Sequence, residues 1–352
     1  MTSMRLHACA SGLASNEIRI AASRDLGAEL PEMFRVRNAA REVDGDIEFG
    51  TFEGFAAYYA TLATFDPARD LVIARIGDRI VGYARAQALD ATDGDRWYEG
   101  TCIVGPDARR HGLGRRLLAW SESRRLELAA ADASSGVAAD RPRWLTTFTN
   151  DGDAGGRILL ETSGYAPFRT FHAMRRPNLH AIPDLPLPEG LEVRPIPNTP
   201  EAIRAVILAD NEAFLDHFGS VDDPDAVYAM VTGDPETDVS LWLVAFDGDE
   251  IAGGVLNGIH LDANGGRVGW HDSVFTRRPW RRRGLARALI AASLRLFRER
   301  GISTAALGVD AANPNQALHL YESCGFRVAT SATAWRKPLP APATPAIEED
   351  PT

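Results

Sequence analysis

The stretch that decides the fold is Arg281–Ile290, which reads RRRGLARALI. It occurs a second time, because Arg109–Leu118 reads RRHGLGRRLL and lies 172 positions earlier. A basic, glycine-containing loop that runs into an apolar helix is therefore present in both parts of the chain. A repeat at this spacing is the first property to settle, since an unnoticed repeat leads to the wrong fold.

Two further pairs of segments repeat in the same order. LVIARIGDRIVGYA (71–84) resembles LWLVAFDGDEIAGG (241–254), and ETSGY (161–165) resembles ESCGF (322–326). Chance can produce one such pair, but three ordered pairs at nearly one spacing indicate duplication. The chain of 352 residues is also long enough for two domains.

The boundary between the duplicated units is predicted at Pro177–Gly190, which contains four prolines. Proline fixes φ and lacks the backbone N–H donor, so this segment is expected to be an extended linker. The end of the chain from Pro338 is rich in proline and alanine, which is typical of disorder. The predicted division is a flexible N-terminus at 1–16, a first unit at 17–178, a Pro-rich linker at 179–190, a second unit at 191–337 and a disordered tail at 338–352.

The pattern of elements predicts an α+β fold in each unit. Helical periodicity comes first, then a β-hairpin, a further strand, the basic loop and an apolar helix. This order favours a mixed, mostly antiparallel sheet flanked by helices. The predicted helices are 30–40, 55–62, 200–214, 225–231, 285–298 and 315–324, and the predicted strands of the second unit are 241–246, 251–259, 267–276 and 305–309.

Composition excludes several classes of protein. The net charge is −10 and the pI about 5.4, which argues against binding to nucleic acid or to anionic membranes. No apolar run is long enough to span a membrane, and the N-terminus lacks the apolar region of a signal peptide. Cys9, Cys102 and Cys324 are far apart, so we expect no disulfide framework and no metal site. A cytoplasmic protein is predicted.

The loop Arg281–Ala286 has the composition of an anion site. A helix N-terminus presents unpaired N–H groups, Gly284 permits close approach of a ligand, and arginines add forked donors. These features together suit a pyrophosphate. A tight turn with solvated arginines fits the loop alone equally well. Neither a Walker A loop nor a G-x-G-x-x-G fingerprint is present.

The loop together with the segment N-P-N-Q-A-L-H-L-Y-E-S-C-G-F (313–326) resembles the GNAT family of acetyl-CoA-dependent N-acetyltransferases. Arg281, Gly284 and Ala286 match the family signature Q/R-x-x-G-x-G/A, and Asn313 with Ala317–Phe326 matches its closing segment. The first unit carries the signature as well. The resemblance covers 190–337 well and 17–178 loosely, and the layout is similar to the tandem GNAT proteins of actinobacteria, a group that includes mycothiol synthase.

The resemblance implies acetyl-CoA as the co-substrate and a set of residues that hold it. Backbone amides of the loop would bind the pyrophosphate, the preceding strand would bind the pantetheine, and the N–H of Val274 would stabilise the oxyanion. Tyr321 would protonate the departing thiolate, although it could also be a buried aromatic that anchors its helix. The residues so implied are Val274, Phe275, Thr276, Arg281, Arg282, Arg283, Gly284, Leu285, Ala286, Arg287, Asn313, Ala317 and Tyr321.

The general base is left open between several candidates. Strand alternation puts Asp272 on the face of Val274 and its neighbour His271 on the opposite face. His271 titrates closer to neutrality and is the chemically easier base. A water relay, or an amine that arrives neutral, is the alternative to both. Glu212, Asp216 and His217 lie on or after the first helix of the second unit, the region that the resemblance implies as the acceptor wall, although most helix charges are merely solvated.

The first unit departs from the pattern at its catalytic position. Leu160 aligns with Tyr321 and cannot donate a proton, and 151–157 replaces the stretch around Asn313. We expect a unit without catalysis, which either binds a second CoA or supports the other half; Glu99 leaves room for residual activity, and Cys102 is expected to be an inert thiol. The candidates for this second CoA site are Cys102, Val104, Arg109, Arg110, His111, Gly112, Leu113, Gly114 and Arg115.

The leading hypothesis is an acetyl-CoA-dependent N-acetyltransferase that acts on the primary amine of a small molecule. An amino sugar, a polyamine, an amino acid or a biosynthetic intermediate would fit. Acidic runs at 222–225 and 234–238 can attract a cation, although such runs are usually solvated. The alternatives are a non-catalytic acyl-CoA-binding tandem protein, a mycothiol-synthase-like enzyme and, less favoured, a protein-lysine acetyltransferase. A monomer or homodimer is expected.

Overall fold

The computed structural model describes residues 18–47, 50–62, 64–91, 94–137, 141–215, 224–313 and 317–339. The predicted flexible N-terminus and all but the first two residues of the predicted tail lie outside these ranges. So do Asp216 and His217, two of the candidate acceptor-side residues. No helix within the described ranges is both long and apolar enough to cross a lipid bilayer.

The helices and strands follow the same order in the two halves. The first half contains β1 (Arg19–Ala22), α1 (Leu26–Val43), α2 (Phe52–Thr61), α3 (Pro67–Asp70), β2 (Leu71–Ile76), β3 (Arg79–Asp90), β4 (Arg96–Val104), α4 (Leu113–Ser134), β5 (Arg143–Asn150), α5 (Ala154–Thr162) and β6 (Ala166–Arg176). The second half contains β7 (Leu191–Arg194), α6 (Pro200–Phe214), α7 (Pro224–Gly233), β8 (Leu243–Asp247), β9 (Glu250–Leu261), β10 (Arg267–Thr276), α8 (Leu285–Glu299), β11 (Ala305–Asp310), α9 (Ala317–Ser323) and β12 (Arg327–Pro338).

All twelve strands form one continuous sheet. Their order is β1-β2-β3-β4-β5-β12-β6-β11-β10-β9-β8-β7. The pairs β4–β5 and β10–β11 are parallel, and the other pairs are antiparallel. The prediction of a mixed, mostly antiparallel sheet flanked by helices is confirmed.

The last strand of each half lies in the other half of the sheet. β12 pairs with β5 of the first half, and β6 pairs with β11 of the second half. The two exchanged strands also pair with each other along nine residue pairs in the middle of the sheet. Because of this exchange, neither 17–178 nor 191–337 contains all the strands of its own half-sheet.

Two helices pack on opposite faces of the second half and frame the site. α6 begins where Thr199 caps the helix by accepting from the Ala202 N–H at 3.3 Å, with Pro200 in the first turn. Its apolar residues pack in one core with Phe275. α8 packs in a separate core with Leu307. Its helical run stops before Gly301, whose φ of 76° is typical of a helix C-terminus.

The Pro-rich linker is attached to the second half. Residues 177–190 contain no helix or strand. Leu179 is buried in the α8 core. Arg295 of α8 donates a hydrogen bond to the Pro183 carbonyl at 3.0 Å. These contacts hold the linker against the body of the protein.

Candidate active site

A cleft of about 550 Å³ opens where the parallel strands β10 and β11 separate. Their pairing ends at His271 and Leu307, and the strands diverge beyond that point. Where the strands diverge, backbone N–H and C=O groups are exposed that would be hydrogen-bonded in a continuous sheet. Of the residues predicted to bind the co-substrate, all but Arg283 line this cleft: Val274, Phe275, Thr276, Arg281, Arg282, Gly284, Leu285, Ala286, Arg287, Asn313, Ala317 and Tyr321. Arg283 instead donates to the Glu189 carbonyl at 3.4 Å.

The loop at the mouth of the cleft has a backbone suited to anions. Arg282 and Gly284 both have positive φ, at 65° and 87°. Gly284 occupies the N-cap position of α8 and has no side chain with which to cap the helix. The first N–H groups of α8 are therefore open to a ligand, and the helix dipole favours negative charge there.

Arg281 braces the loop. Its Nε donates to the Thr276 carbonyl at 3.0 Å, and one terminal nitrogen donates to the Ala213 carbonyl at 2.9 Å. The guanidinium thus joins the end of β10 to the end of α6. These bonds engage the Arg281 side chain with the protein. Arg282 of the loop and Arg287 in the first turn of α8 line the cleft as well.

A β-bulge at Asp272 changes the predicted alternation of β10. His271 pairs with Asn257 and Ser273 with Leu256, so Asp272 is the extra residue. As a result, His271 and Val274 both face α8, where they contact the α8 core. Asp272 lies on the other face, where its Oδ1 is 2.9 Å from Nε2 of His260. The expectation that Asp272 shares the face of Val274 was wrong, because alternation holds only without a bulge.

His271 is a buried, neutral histidine with a fixed tautomer. Asn257 donates its amide to the Leu241 carbonyl at 2.7 Å, so its Oδ1 is an acceptor. His271 Nδ1 lies 2.8 Å from that oxygen and must carry the proton. Burial lowers the pKa of the ring to about 3. Its Nε2 is therefore a lone-pair acceptor. The ring lines the cleft, and within the described part of the chain this nitrogen is buried without a partner.

Tyr321 lies in the cleft as the closing segment predicts. Its ring packs edge-on against Phe326 with centroids 6.3 Å apart, and the residue belongs to the α8 core. Burial raises the pKa of the phenol above its ordinary value. A phenol that keeps its proton at neutral pH can donate it to a thiolate.

Sequence reasoning missed Asp210 and Ser273. Ser273 lines the cleft next to the bulge, and its Oγ donates to Asp210 Oδ1 at 2.6 Å. Burial raises the pKa of Asp210 to about 6. A signal was present, because Asp210 falls in the 3–4 spacing of the buried residues Ile207 and Ala213 on α6. The candidate Glu212 on the same helix forms an ion pair with Arg277 at 2.8 Å.

The first half has the same loop but fills the corresponding gap. Arg110 and Gly112 have φ of 66° and 76°, and Arg109 donates to the Val104 carbonyl at 3.3 Å, as Arg281 does to Thr276. Gly114 lies against Leu159, since a Cβ added there would be 3.4 Å from that side chain. Burial raises the pKa of the Cys102 thiol to about 11. The thiol therefore keeps its proton at neutral pH.

Two buried side chains close the gap between β4 and β5. Arg125 of α4 is fully buried and donates to the carbonyls of Tyr98 and Thr146, at 3.3 and 2.9 Å. Thr147 donates to the Gly100 carbonyl at 2.7 Å, just beyond the last parallel pair. In the second half the residue 172 positions after Arg125 is Phe297, which has no donors to offer the strands. The two halves therefore share the conformation of the loop before the helix, but they differ in the gap between the parallel strands.

Comparison with known proteins agrees with this geometry. The chain is 30% identical to the mycothiol acetyltransferase of Streptomyces scabiei (strain 87.22) over 71% of its length and 74% of that protein. A GCN5-related N-acetyltransferase from Sphaerobacter thermophilus superposes with a TM-score of 0.66 and 26% identity, over 93% of this chain and 97% of the other. A tandem GNAT protein from the clavulanic acid biosynthesis pathway shares the fold, with a TM-score of 0.66, 17% identity and coverage of 92% and 100%.

A repeated fold with a splayed sheet and a basic loop at a helix N-terminus defines a tandem acetyltransferase. Residues 32–137 and 208–326 match the model of the Acetyltransferase (GNAT) family. The chain belongs to the GNAT acetyltransferase family, with one matched region in each half.

Proposed function

We propose that the second half transfers an acetyl group from acetyl-CoA to the primary amine of a small molecule by direct attack. One observation carries the proposal. The cleft between β10 and β11 brings the anion loop, the splayed strand and Tyr321 into a single cavity. The first half, by contrast, has its gap filled by Arg125 and Thr147.

The residues of the cleft fit a CoA thioester. The amides around Arg282 and Gly284 would hold the pyrophosphate, and the edge of β10 at Val274 would pair with the pantetheine. Two buried polar atoms of the cleft residues, Thr276 Oγ1 and His271 Nε2, have no hydrogen-bond partner among the residues that the structure describes. Buried polar groups are rarely left unpaired, so a polar ligand is the natural partner for both.

The chemistry requires an oxyanion donor and an acid. The Val274 N–H would stabilise the negative charge that develops on the thioester oxygen. Tyr321 would give its proton to the departing sulfur, which its raised pKa permits. Two base candidates remain predictions: His271, whose Nε2 is a bare acceptor, and Asp272, which is held by His260.

We further propose that the acceptor belongs to mycothiol chemistry. The support is the name of the relatives, together with a match that covers about three quarters of the length of the Streptomyces scabiei protein. Mycothiol lacking its acetyl group is therefore the first amine to test, followed by glucosamine, spermidine and L-serine. Release of the CoA thiol and mass spectrometry of the acetylated amine would identify the substrate.

Calorimetric titration with acetyl-CoA tests which half binds the co-substrate. Gly284→Trp places a bulky side chain at the loop of the second half, and Gly112→Trp is the matched variant of the first. We expect one binding event in the wild type, loss of binding in Gly284→Trp and unchanged affinity in Gly112→Trp. Loss of binding in Gly112→Trp alone would assign CoA to the first half and contradict the proposal.

Tyr321→Phe separates an enzyme from a non-catalytic acyl-CoA-binding protein. The variant removes only the hydroxyl, so acetyl-CoA affinity should stay within about twofold. The turnover number should fall by roughly 100-fold, which is a typical contribution of a general acid. Full turnover in Tyr321→Phe would show that another group protonates the sulfur, and absence of turnover in the wild type with every amine would favour the binding protein.

A further inference from the structure

The two faces of β10 present different groups to the cleft. On the α8 face lie Tyr321 and the end of the loop, so the leaving sulfur and its acid belong to that face. On the α6 face lie Ser273 and Phe275. Phe214 at the end of α6 also lines the cleft. An amine that attacks the thioester from the side opposite the acid would meet Ser273.

The hydroxyl of Ser273 is hydrogen-bonded to the partly buried carboxylate of Asp210. Its Oγ donates to Asp210 Oδ1 at 2.6 Å, which is short for a hydroxyl–carboxylate bond and typical of a charged acceptor. The bulge at Asp272 makes this contact possible, because it turns Ser273 toward α6. Asp210 sits beside an apolar core, and burial raises its pKa to about 6.

Several charged groups on α6 and its neighbouring elements are engaged in ion pairs or hydrogen bonds. The elements packed against α6 include α7, β8, β9 and β10. Glu212 pairs with Arg277 just after β10, Arg204 with Asp225 of α7, and His260 of β9 with Asp272 of β10. Arg281 donates to the Ala213 carbonyl at the end of α6. His271 faces α8 and is neutral. Asp210 therefore titrates chiefly through its burial and its bond to Ser273.

We propose that Ser273 and Asp210 form a proton relay for the attacking amine, an inference that rests on the proposed function. The amine nitrogen bonds to the thioester carbon, the carbon–sulfur bond breaks, and the nitrogen loses one proton. Ser273 Oγ accepts that proton as its own hydroxyl proton passes to the Asp210 carboxylate. Tyr321 protonates the sulfur, and both Asp210 and Tyr321 re-equilibrate with water. Ser273 touches the substrate, and Asp210 acts through it.

The test is the pH profile of the full-length protein and four variants. The variants are Asp210→Asn, Ser273→Ala, Ser273→Thr and the control Glu201→Gln, which removes an exposed carboxylate of the same helix. The acceptor is the amine that the wild type acetylates fastest among deacetylated mycothiol, glucosamine, spermidine and L-serine. The turnover number is measured between pH 5 and pH 9, and acetyl-CoA affinity is measured by calorimetry.

The wild type should gain activity through an ionisation near pH 6, and the control should keep it. Asp210→Asn and Ser273→Ala should lose about 100-fold in turnover number and should also lose this ionisation, with acetyl-CoA affinity unchanged. Ser273→Thr keeps a hydroxyl at this position, so it should retain the ionisation near pH 6. If Asp210→Asn keeps the wild-type rise in turnover number near pH 6, the relay is overturned, whereas the proposed acetyltransferase function still stands. A wild type that does not bind acetyl-CoA overturns the proposed function itself.

Discussion

Acidification should destabilise the protein through His271, which the fold keeps neutral. The ring stacks on Phe297 with centroids 5.4 Å apart, and burial lowers its pKa from 6.5 to about 3. Below pH 6.5 the unfolded chain binds a proton at this residue that the folded chain does not bind. The contribution to the free energy of unfolding is therefore complete above pH 6.5 and is lost as the pH falls toward 3.

The size of the loss follows from the two pKa values. Each pH unit between them is equivalent to about 1.4 kcal/mol. We expect a loss of about 2 kcal/mol between pH 7 and pH 5 and about 3 kcal/mol by pH 4. Asp210 acts with the opposite sign, since its raised pKa makes the folded chain bind a proton first. The informative quantity is therefore the difference between the wild type and a variant at His271.

Urea unfolding followed by far-UV circular dichroism at pH 7 and pH 5 measures this difference. His271→Leu removes the titrating ring, and His319→Gln removes an exposed histidine as the control. Between the two pH values the wild type should lose about 2 kcal/mol more than His271→Leu, and the control should follow the wild type. His271→Leu also changes the free energy of unfolding at pH 7. This change cancels, because each protein is compared with itself at the two pH values. Equal losses in wild type and His271→Leu would refute the assignment of a buried neutral ring.

Four other substitutions test the packing and the loops of the two halves. Arg125→Met should lower the free energy of unfolding by about 3–5 kcal/mol, because it leaves buried carbonyls unpaired, and calorimetry should find acetyl-CoA affinity unchanged. Trp335→Ala should cost about 3–5 kcal/mol in urea unfolding, since the ring is buried on the exchanged strand and donates to Thr149 at 2.8 Å. Gly284→Ala and Gly112→Ala should each cost about 1–2 kcal/mol in thermal unfolding, because both glycines have positive φ and neither site is crowded.

The sequence was sufficient for features that depend on neighbouring residues. Helix α6 has the predicted bounds, because Thr199 and Pro200 form a local start signal. Strand β10 also has the predicted bounds. The loop at Gly284 and its counterpart at Gly112 share one backbone conformation, as two copies of one motif should. Such elements follow from local propensity and periodicity.

The remaining features depend on partners that are distant in the chain. The bulge at Asp272 exists only in register with β9, so no pattern within β10 indicates it. The exchange of β6 and β12 leaves the alternation of each strand unchanged, since either pairing buries the same faces. The spacing on α6 places Asp210 on the inward face, but its bond to Ser273 joins residues 63 positions apart and has no local signal.

The comparison of the two halves shows why the loop motif alone does not identify a binding site. Both loops have positive φ at the same two positions and the same arginine brace. The gaps differ, because Arg125 on the following helix and Thr147 on β5 donate across the strands of the first half, whereas Phe297, at the position of Arg125, has no donor. A gap between diverging strands must have its exposed carbonyls and amides satisfied either by the protein or by a ligand. In the first half Arg125 and Thr147 satisfy the carbonyls of Tyr98, Thr146 and Gly100. In the second half the cleft residues Thr276 and His271 each keep a polar atom that has no partner among the described residues, which supports placing the proposed acyl donor there.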